Sequence, residues 1–428
     1  QGVSSAASDV YKRQGLGKAN LKPALYWRCT PPTGRPATIM NVTRTLGAIA
    51  TIALTLGLGA CAGGAQEKAS SGHTPALSVT DVAGRTVSFD AQPKRILLAE
   101  GRALMATSVL NKENPAKDVV AIGADLHKAA PSFESALRQA RPQVSKLPMI
   151  GSIAKGDVTV ENMLSFKPDA VVMTLDQKEA AEKAGFLQKM DQAKLPHVFI
   201  DFRRKPLENT TKSMATLGKI FDGKAISRAK EFNKFYQSKV DDVSRRVSRE
   251  SDKPRTFLWR AAGLKDCCST YANLNLGDVI TAAGGHNLGA DLLRTSAGDV
   301  TPEKIVATQP EHIIATGGSW AKDPKKPESV PHVELGYNVT DDDAQRTLAG
   351  LLKTPGFSLL KAPKDGKLHA VYHQFYDSPF NVFALEQFAA WQHPKQFKGV
   401  DLTKDFAKFH EDYLPFGYRG VFFVTLKK

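Results

Sequence analysis

Residues 225–251 read AISRAKEFNKFYQSKVDDVSRRVSRES. Ala225, Ala229, Phe232, Tyr236, Val240, Val243 and Val247 recur at three- and four-residue steps, with Lys, Arg, Asp and Glu between them. That spacing lays the apolar side chains along one stripe of a helix of about seven turns. Ser251-Asp252-Lys253-Pro254 stops it, because proline has no N–H to offer and keeps the residue before it out of helical geometry. One long helix thus divides the chain, and both flanks carry the same rhythm.

Upstream, Leu77–Asp81 and Arg85–Phe89 alternate apolar and polar residues around Ala83-Gly84, which predicts a hairpin. Arg95–Ala99 reads as a short buried strand, with a helix over Ala103–Leu110. Further strands are expected at Val119–Ile122, Ala170–Met173 and His197–Ile200. Downstream, Thr256–Trp259, Ile313–Ala315 and Ala370–Tyr372 continue the series. Strands alternating with helices predict an α/β chain, here in two halves.

A weak repeat links the halves. VTVENMLSFKPDAVV begins at Val158 and VTPEKIVATQPEHII at Val300. In each an acid, Glu161 or Glu303, opens a short helix, a proline seven residues later stops it, and a buried strand follows. A carboxylate is favoured there by the helix dipole alone, so a purely structural role is open to both.

The first sixty residues have a different character. From Met40 the chain reads MNVTRTLGAIATIALTLGLGACAGG, with Arg44 ahead of an apolar stretch from Leu46 to Leu58. The stretch is too short for a comfortable membrane span and suits a signal peptide. It ends in Leu58-Gly59-Ala60-Cys61, matching a bacterial lipobox, with the Cys61 thiol as acceptor of a diacylglyceryl anchor. AGGAQEKASSGHTPA then reads as a flexible tether. VSSAASDVYKRQ resembles translated adapter sequence, so 1–39 are set apart from fold reasoning. The plan is therefore upstream translation (1–39), signal peptide (40–60), tether (61–76), N-terminal lobe (77–224), connecting helix (225–251) and C-terminal lobe (252–428).

Composition narrows the class. The chain has 428 residues, 42% hydrophobic and 24% charged, which permits two packed lobes. The formal charge is +15, and residues 1–60 hold seven Lys/Arg against Asp9 alone, leaving +9 without them. That surplus suits an acidic ligand or an anionic membrane surface. No run of five basic residues and no zinc-finger spacing occurs, so nucleic acid is not expected as a partner. Cys267 and Cys268 are adjacent, which excludes a disulfide scaffold and a separated-pair zinc site; two partly buried thiols are expected, a vicinal bridge being the alternative. There is no G-x-S-x-G, H-E-x-x-H or P-loop, so no enzyme is expected, and Gly284-Gly285 reads as a helix stop.

VTDVAGRTVSFDAQPKRILL, VENMLSFKPDAVV, PEKIVATQPEHII and AAGGHNLGADLL together resemble the iron-complex (siderophore, haem and cobalamin) class of ABC substrate-binding proteins, over residues 77–428. The closing YHQFYDSPFNVFALEQFAAWQHPKQF is similar to a subgroup of iron–siderophore binders. The resemblance implies two Rossmann-like lobes joined by a single long helix, the class III periplasmic-binding-protein fold. It also implies a monomer that binds ligand between the lobes and needs no intrinsic cofactor. Its ligand would be an Fe(III)-chelate, and its partners a permease and an ATPase. It implies that Glu161 and Glu303 dock onto permease arginines.

A ferric siderophore is commonly anionic, bulky and partly aromatic, so its cleft needs guanidinium donors and flat walls. Arg102, the pair Arg203 and Arg204, and Arg260 each follow a strand, where carboxyl ends open on a cleft; a solvated surface arginine is the other reading of each. His373 and Tyr376 follow the strand Ala370–Tyr372, as cleft lining or as iron ligands completing a chelate with open positions. Trp391 and His393 read as core or helix-end residues. The alternatives on the same scaffold are haem, cobalamin or free metal; an enzyme or metal chaperone is the rival class. Ten scattered histidines argue against direct capture of a bare metal.

Overall fold

The computed structural model describes residues 75–264, 267–321 and 332–428. Cys61, the signal peptide, nearly all of the tether and residues 1–39 lie outside the described residues. Ser71–Lys428 forms one unit.

It opens with an antiparallel hairpin, β1 (Leu77–Thr80) and β2 (Thr86–Phe89). Asp81 closes the turn by accepting the N–H groups of Ala83 and Arg85 at 2.9 and 3.0 Å, and Gly84 takes the left-handed conformation (φ 79°) that other residues resist. Five parallel strands follow: β3 (Ile96–Leu98), β4 (Val119–Gly123), β5 (Met149–Ile150), β6 (Ala170–Thr174) and β7 (His197–Ile200), in the order β5-β4-β3-β6-β7. β3, β6 and β7 are buried along their whole length, as parallel strands covered on both faces must be.

The C-terminal half repeats the plan. β8 (Arg255–Trp259), β9 (Ser269–Tyr271), β10 (His286–Asn287), β11 (Ala297–Asp299), β12 (His312–Gly317), β13 (Leu368–Tyr372) and β14 (Phe423–Thr425) follow. The main sheet has the order β10-β8-β12-β13-β14, parallel except for β14, while β9 and β11 pair apart. The strand order reverses beside β3 in one lobe and beside β8 in the other, and such switch points open crevices at strand carboxyl ends.

The repeat seen in sequence is a repeat in structure. Thr159 and Thr301 cap the helices Val160–Ser165 and Pro302–Thr308 by accepting N–H groups three residues on. Lys167 (φ 49°) and Gln309 (φ 47°), each just before a proline, turn the chain left-handed into β6 and β12. Glu161 and Glu303 sit fully exposed in the first turns; each is held below the usual carboxylate range by its own backbone N–H and by the capping threonine.

The connecting helix runs Lys224–Val247, about 36 Å at 1.5 Å per residue. It ends before the expected Ser251 because Ser248–Ser251 offer the buried stripe no apolar side chain. Ala225, Ala229, Phe232, Tyr236 and Val243 are buried against helices Leu104–Leu110 and Pro206–Phe221 of the first lobe and Asn381–Gln392 of the second. Gly218 allows the closest approach: a Cβ there would lie 2.8 Å from that of Ala229. Tyr236 donates to Asn381 Oδ1 at 2.6 Å, and Asn381 donates to Thr210 Oγ1 at 2.8 Å, so one buried chain of hydrogen bonds ties the helix to both lobes.

Candidate functional site

Four loops at strand carboxyl ends meet between the lobes. Glu100–Ala103 leaves β3, and its backbone lies against that of the loop leaving β4. A Cβ on Gly101 would fall 2.3 Å from the Gly123 carbonyl, so glycine is required. The approach lets Asp125 accept from Gly101 N at 2.6 Å and from Arg102 Nε at 2.7 Å, which aims the guanidinium. Beyond β7, buried Asp201 accepts the N–H groups of Arg203, Arg204 and Lys205 at 2.9, 2.7 and 3.0 Å and the Asn209 amide at 2.8 Å. That knot fixes the loop from which Arg203 reaches Asp176.

From the second lobe, the 3₁₀ turn His373–Asp377 continues β13. Asp377, only 4% exposed, crosses to the first lobe. Its Oδ2 accepts from Arg102 Nη1 at 2.6 Å and from Arg203 Nη2 at 2.5 Å. Arg102 also donates to the Tyr376 hydroxyl, and both guanidinium groups lie over the Tyr376 ring, 5.7 and 5.4 Å from its centroid. Asn275 donates its amide across the cleft to the Arg203 carbonyl and, on its own lobe, to the Tyr376 carbonyl. The His373 and Tyr376 rings are 4.4 Å apart, Trp320 meets His373 edge-on at 5.1 Å, and Thr316 Oγ1 is 2.7 Å from His373 Nδ1. Arg260, at the end of β8, lies 3.8 Å over the Tyr271 ring and makes no ion pair among the described residues.

The site's charges are mutually adjusted. Burial pushes Glu100 up to about 7 against the pull of Arg203 and Arg102, with Asp377 and Asp125 adding to the rise. Burial, then Arg260, Arg102 and Arg203, hold His373 down to about 3, so its imidazole is neutral at ordinary pH. Burial opposes the charge on Arg102 and Arg203, but Asp377 and Tyr376 beside them outweigh it and keep both firmly protonated. Tyr271 is pushed by burial to about 12, against the pull of Arg260.

Of the residues singled out in sequence, Arg102, Arg203, Arg260, His373 and Tyr376 come together here. Arg204 is exposed and its charge acts on Glu179 instead. Arg102 and Arg203 are not bare cations: Glu100, Asp125, Asp176 and Asp377 already engage them. Those four carboxylates, with Tyr271, Asn275 and Trp320, were missed. The adjacency of Asp377 to Tyr376 was the one available signal. Trp391 stacks on His369 at 4.4 Å and His393 ends its helix; the His312–His369 pair lies at the amino ends of β12 and β13, away from the cleft. Cys267 and Cys268 stand beside β9 as a vicinal pair.

A separate cavity of about 720 Å³ opens at the start of the connecting helix, lined by Lys112, Phe221, Lys224, Arg228 and Asp412 among others. Arg228 there bonds Glu231 at 2.9 Å and the Asp412 carbonyl, Lys112 bonds the Glu411 carbonyl, and no strand carboxyl end opens there. Among the described residues no three His, Cys, Asp or Glu side chains converge as a metal site, and no helix is long and apolar enough to cross a membrane.

Comparison with known proteins agrees with this geometry. Residues 103–371 match the family described as "Periplasmic binding protein". Among solved structures, the TroA-like periplasmic binding protein FepB from Veillonella parvula is 26% identical, with a TM-score of 0.73 over 82% of this chain and 100% of that one. The molybdate periplasmic binding protein MolA of Haemophilus influenzae, bound to molybdate, is 16% identical, with a TM-score of 0.60 over 80% of this chain and 99% of that one. CeuE of Helicobacter pylori with Ni(II) bound is 18% identical, with a TM-score of 0.56 over 80% and 97%. The last two share the fold alone. No curated protein sequence matches the chain. Since the matched region exceeds half of the chain and spans both switch-point lobes, the protein belongs to the periplasmic binding protein family, the extracytoplasmic solute-binding components of ABC transporters.

Proposed function

We propose that this protein captures a ferric-siderophore-type chelate and delivers it to an ABC importer, without catalysing a reaction on it. The carrying observation is the set Arg102, Arg203, Arg260, His373 and Tyr376 at the carboxyl ends of β3, β7, β8 and β13. Guanidinium forks match the anionic oxygens of such a chelate, and Tyr376, Tyr271 and Trp320 offer flat walls. The His373 imidazole, neutral at ordinary pH, and the Tyr376 oxygen are donor types that would complete iron coordination where the chelate leaves positions open, the remaining donors coming from the chelate. Exposed Glu161 and Glu303, one on each lobe, are the proposed permease contacts, and Cys61 the proposed lipid anchor after signal-peptide removal.

Trp320 in the cleft makes binding visible as tryptophan quenching. Titration of the full chain with anionic ferric chelates, haem and cobalamin should show saturable quenching by at least one ferric chelate. Arg203→Ala should weaken that binding by about tenfold or more, the loss of a charge-assisted contact. Tight binding of haem or cobalamin with none of a ferric chelate would reject the cargo. Unchanged affinity in Arg203→Ala would remove that residue from the site.

A further inference from the structure

The ion pairs between the lobes are arranged unequally. Each cleft arginine has an anchor on its own lobe, Asp125 for Arg102 and Asp176 for Arg203. The Asp201 knot and Asn275 fix the Arg203 backbone. Neither arginine needs Asp377 for its position. Asp377 arrives from the other lobe on a five-residue 3₁₀ turn, and one oxygen, Oδ2, takes an Nη group of each. Arg203 Nε and Arg260 Nε are buried without an acceptor among the described residues, so the cleft keeps donors that Asp377 does not use.

We propose that the seat between Arg102 and Arg203, which Asp377 fills, is a carboxylate subsite for the ligand. The incoming chelate then carries a carboxylate arm that displaces the Asp377 carboxylate and loosens the turn that carries it, on which His373 and Tyr376 still face the ligand. The reading rests on the binding function above and adds to it the chemistry of one ligand arm and a selecting residue. A neutral ferric trihydroxamate, whose anionic oxygens are all bound to the metal, offers no charge to replace that of Asp377, whereas a free planar carboxylate reproduces the seated group. Removing Asp377 leaves Arg102 paired with Asp125 and Arg203 with Asp176 and opens the shared seat, so the ligand arm no longer competes with an internal carboxylate for it. Loss of Asp377 therefore strengthens binding, the reverse of losing a ligand contact.

The test uses the full chain, Asp377→Asn and Asp377→Ala, with citrate, ferric citrate and a neutral ferric trihydroxamate as probes, read by calorimetry. Thermal melts check that each variant is folded. Both variants should bind citrate and ferric citrate about tenfold or more tighter than the parent, with no gain for the trihydroxamate. Equal or weaker citrate binding, an equal gain for the trihydroxamate, or no binding of any probe to the variants overturns the proposal. Ferric chelates that bind parent and variants alike reject the subsite and leave the transport reading standing. Free citrate gaining affinity while no ferric chelate binds does the opposite. Should both variants unfold, hydrogen exchange on the parent decides: citrate must speed exchange in residues 373–378, and unaltered or slower exchange refutes the displacement.

Discussion

Replacing Glu100 by glutamine tests the electrostatics of the cleft through stability. The Glu100 side chain, 13% exposed, lies 3.3 Å from Arg203 and 3.6 Å from Arg102. Burial nevertheless dominates and holds it at about 7, against an ordinary 4.5. The native state therefore binds this proton more tightly than the unfolded chain does. Its contribution is complete below about 4.5 and is lost as the pH rises through 7, so ionisation costs the fold about 3 kcal/mol. Glu100→Gln keeps the neutral shape and cannot ionise. Urea unfolding followed by tryptophan fluorescence at pH 5, 6, 7 and 8 should show the parent losing stability relative to the variant as pH rises. The gap should be small at pH 5 and approach about 3 kcal/mol at pH 8. Glu386, raised by burial to about 7 against the pull of Lys239, contributes a fall of the same sign, so Glu386→Gln separates the two. Parent and Glu100→Gln stabilities that run parallel from pH 5 to 8 would refute the assignment.

Two further outcomes follow from the connecting helix and the repeated helix starts. Phe232 is fully buried beside Tyr236, Phe409 and Tyr413, so Phe232→Ala should lower unfolding free energy by about 3–5 kcal/mol; a loss below about 1 kcal/mol would mean that the helix is not a packed spine. Glu161→Ala with Glu303→Ala should leave chelate affinity at the parent value yet abolish stimulation of uptake in vesicles carrying the cognate permease and ATPase. Full uptake by the double variant would remove both from docking.

Much of the architecture was legible because it is written in local periodicity. His197–Ile200 stands as expected, and the strands around Val119, Ala170, Thr256, Ile313 and Ala370 each extend the expected span by one to three residues, since continuous apolar runs mark buried parallel strands but their ends depend on neighbours. The helix end at Val247 shifted for a related reason: the stripe stops before the stop signal does.

The arginines were found because a residue's place after a buried strand is a local property, and strand carboxyl ends form the cleft whatever lies opposite. Their partners were not. Asp377 is 174 residues from Arg203 and 275 from Arg102 in the chain, and nothing in YHQFYDSP says that its carboxylate crosses to the other lobe. Arg204 illustrates the same limit. It shares the loop and the Asp201 knot with Arg203, yet one side chain enters the cleft and its neighbour faces solvent. Two lobes, their spine and their strand-end basic groups follow from periodicity and turn chemistry. Which charges meet, and hence that the cleft arginines face carboxylates already in place, follows from the docking of one lobe on the other, where contacts between distant residues carry no sequence signal.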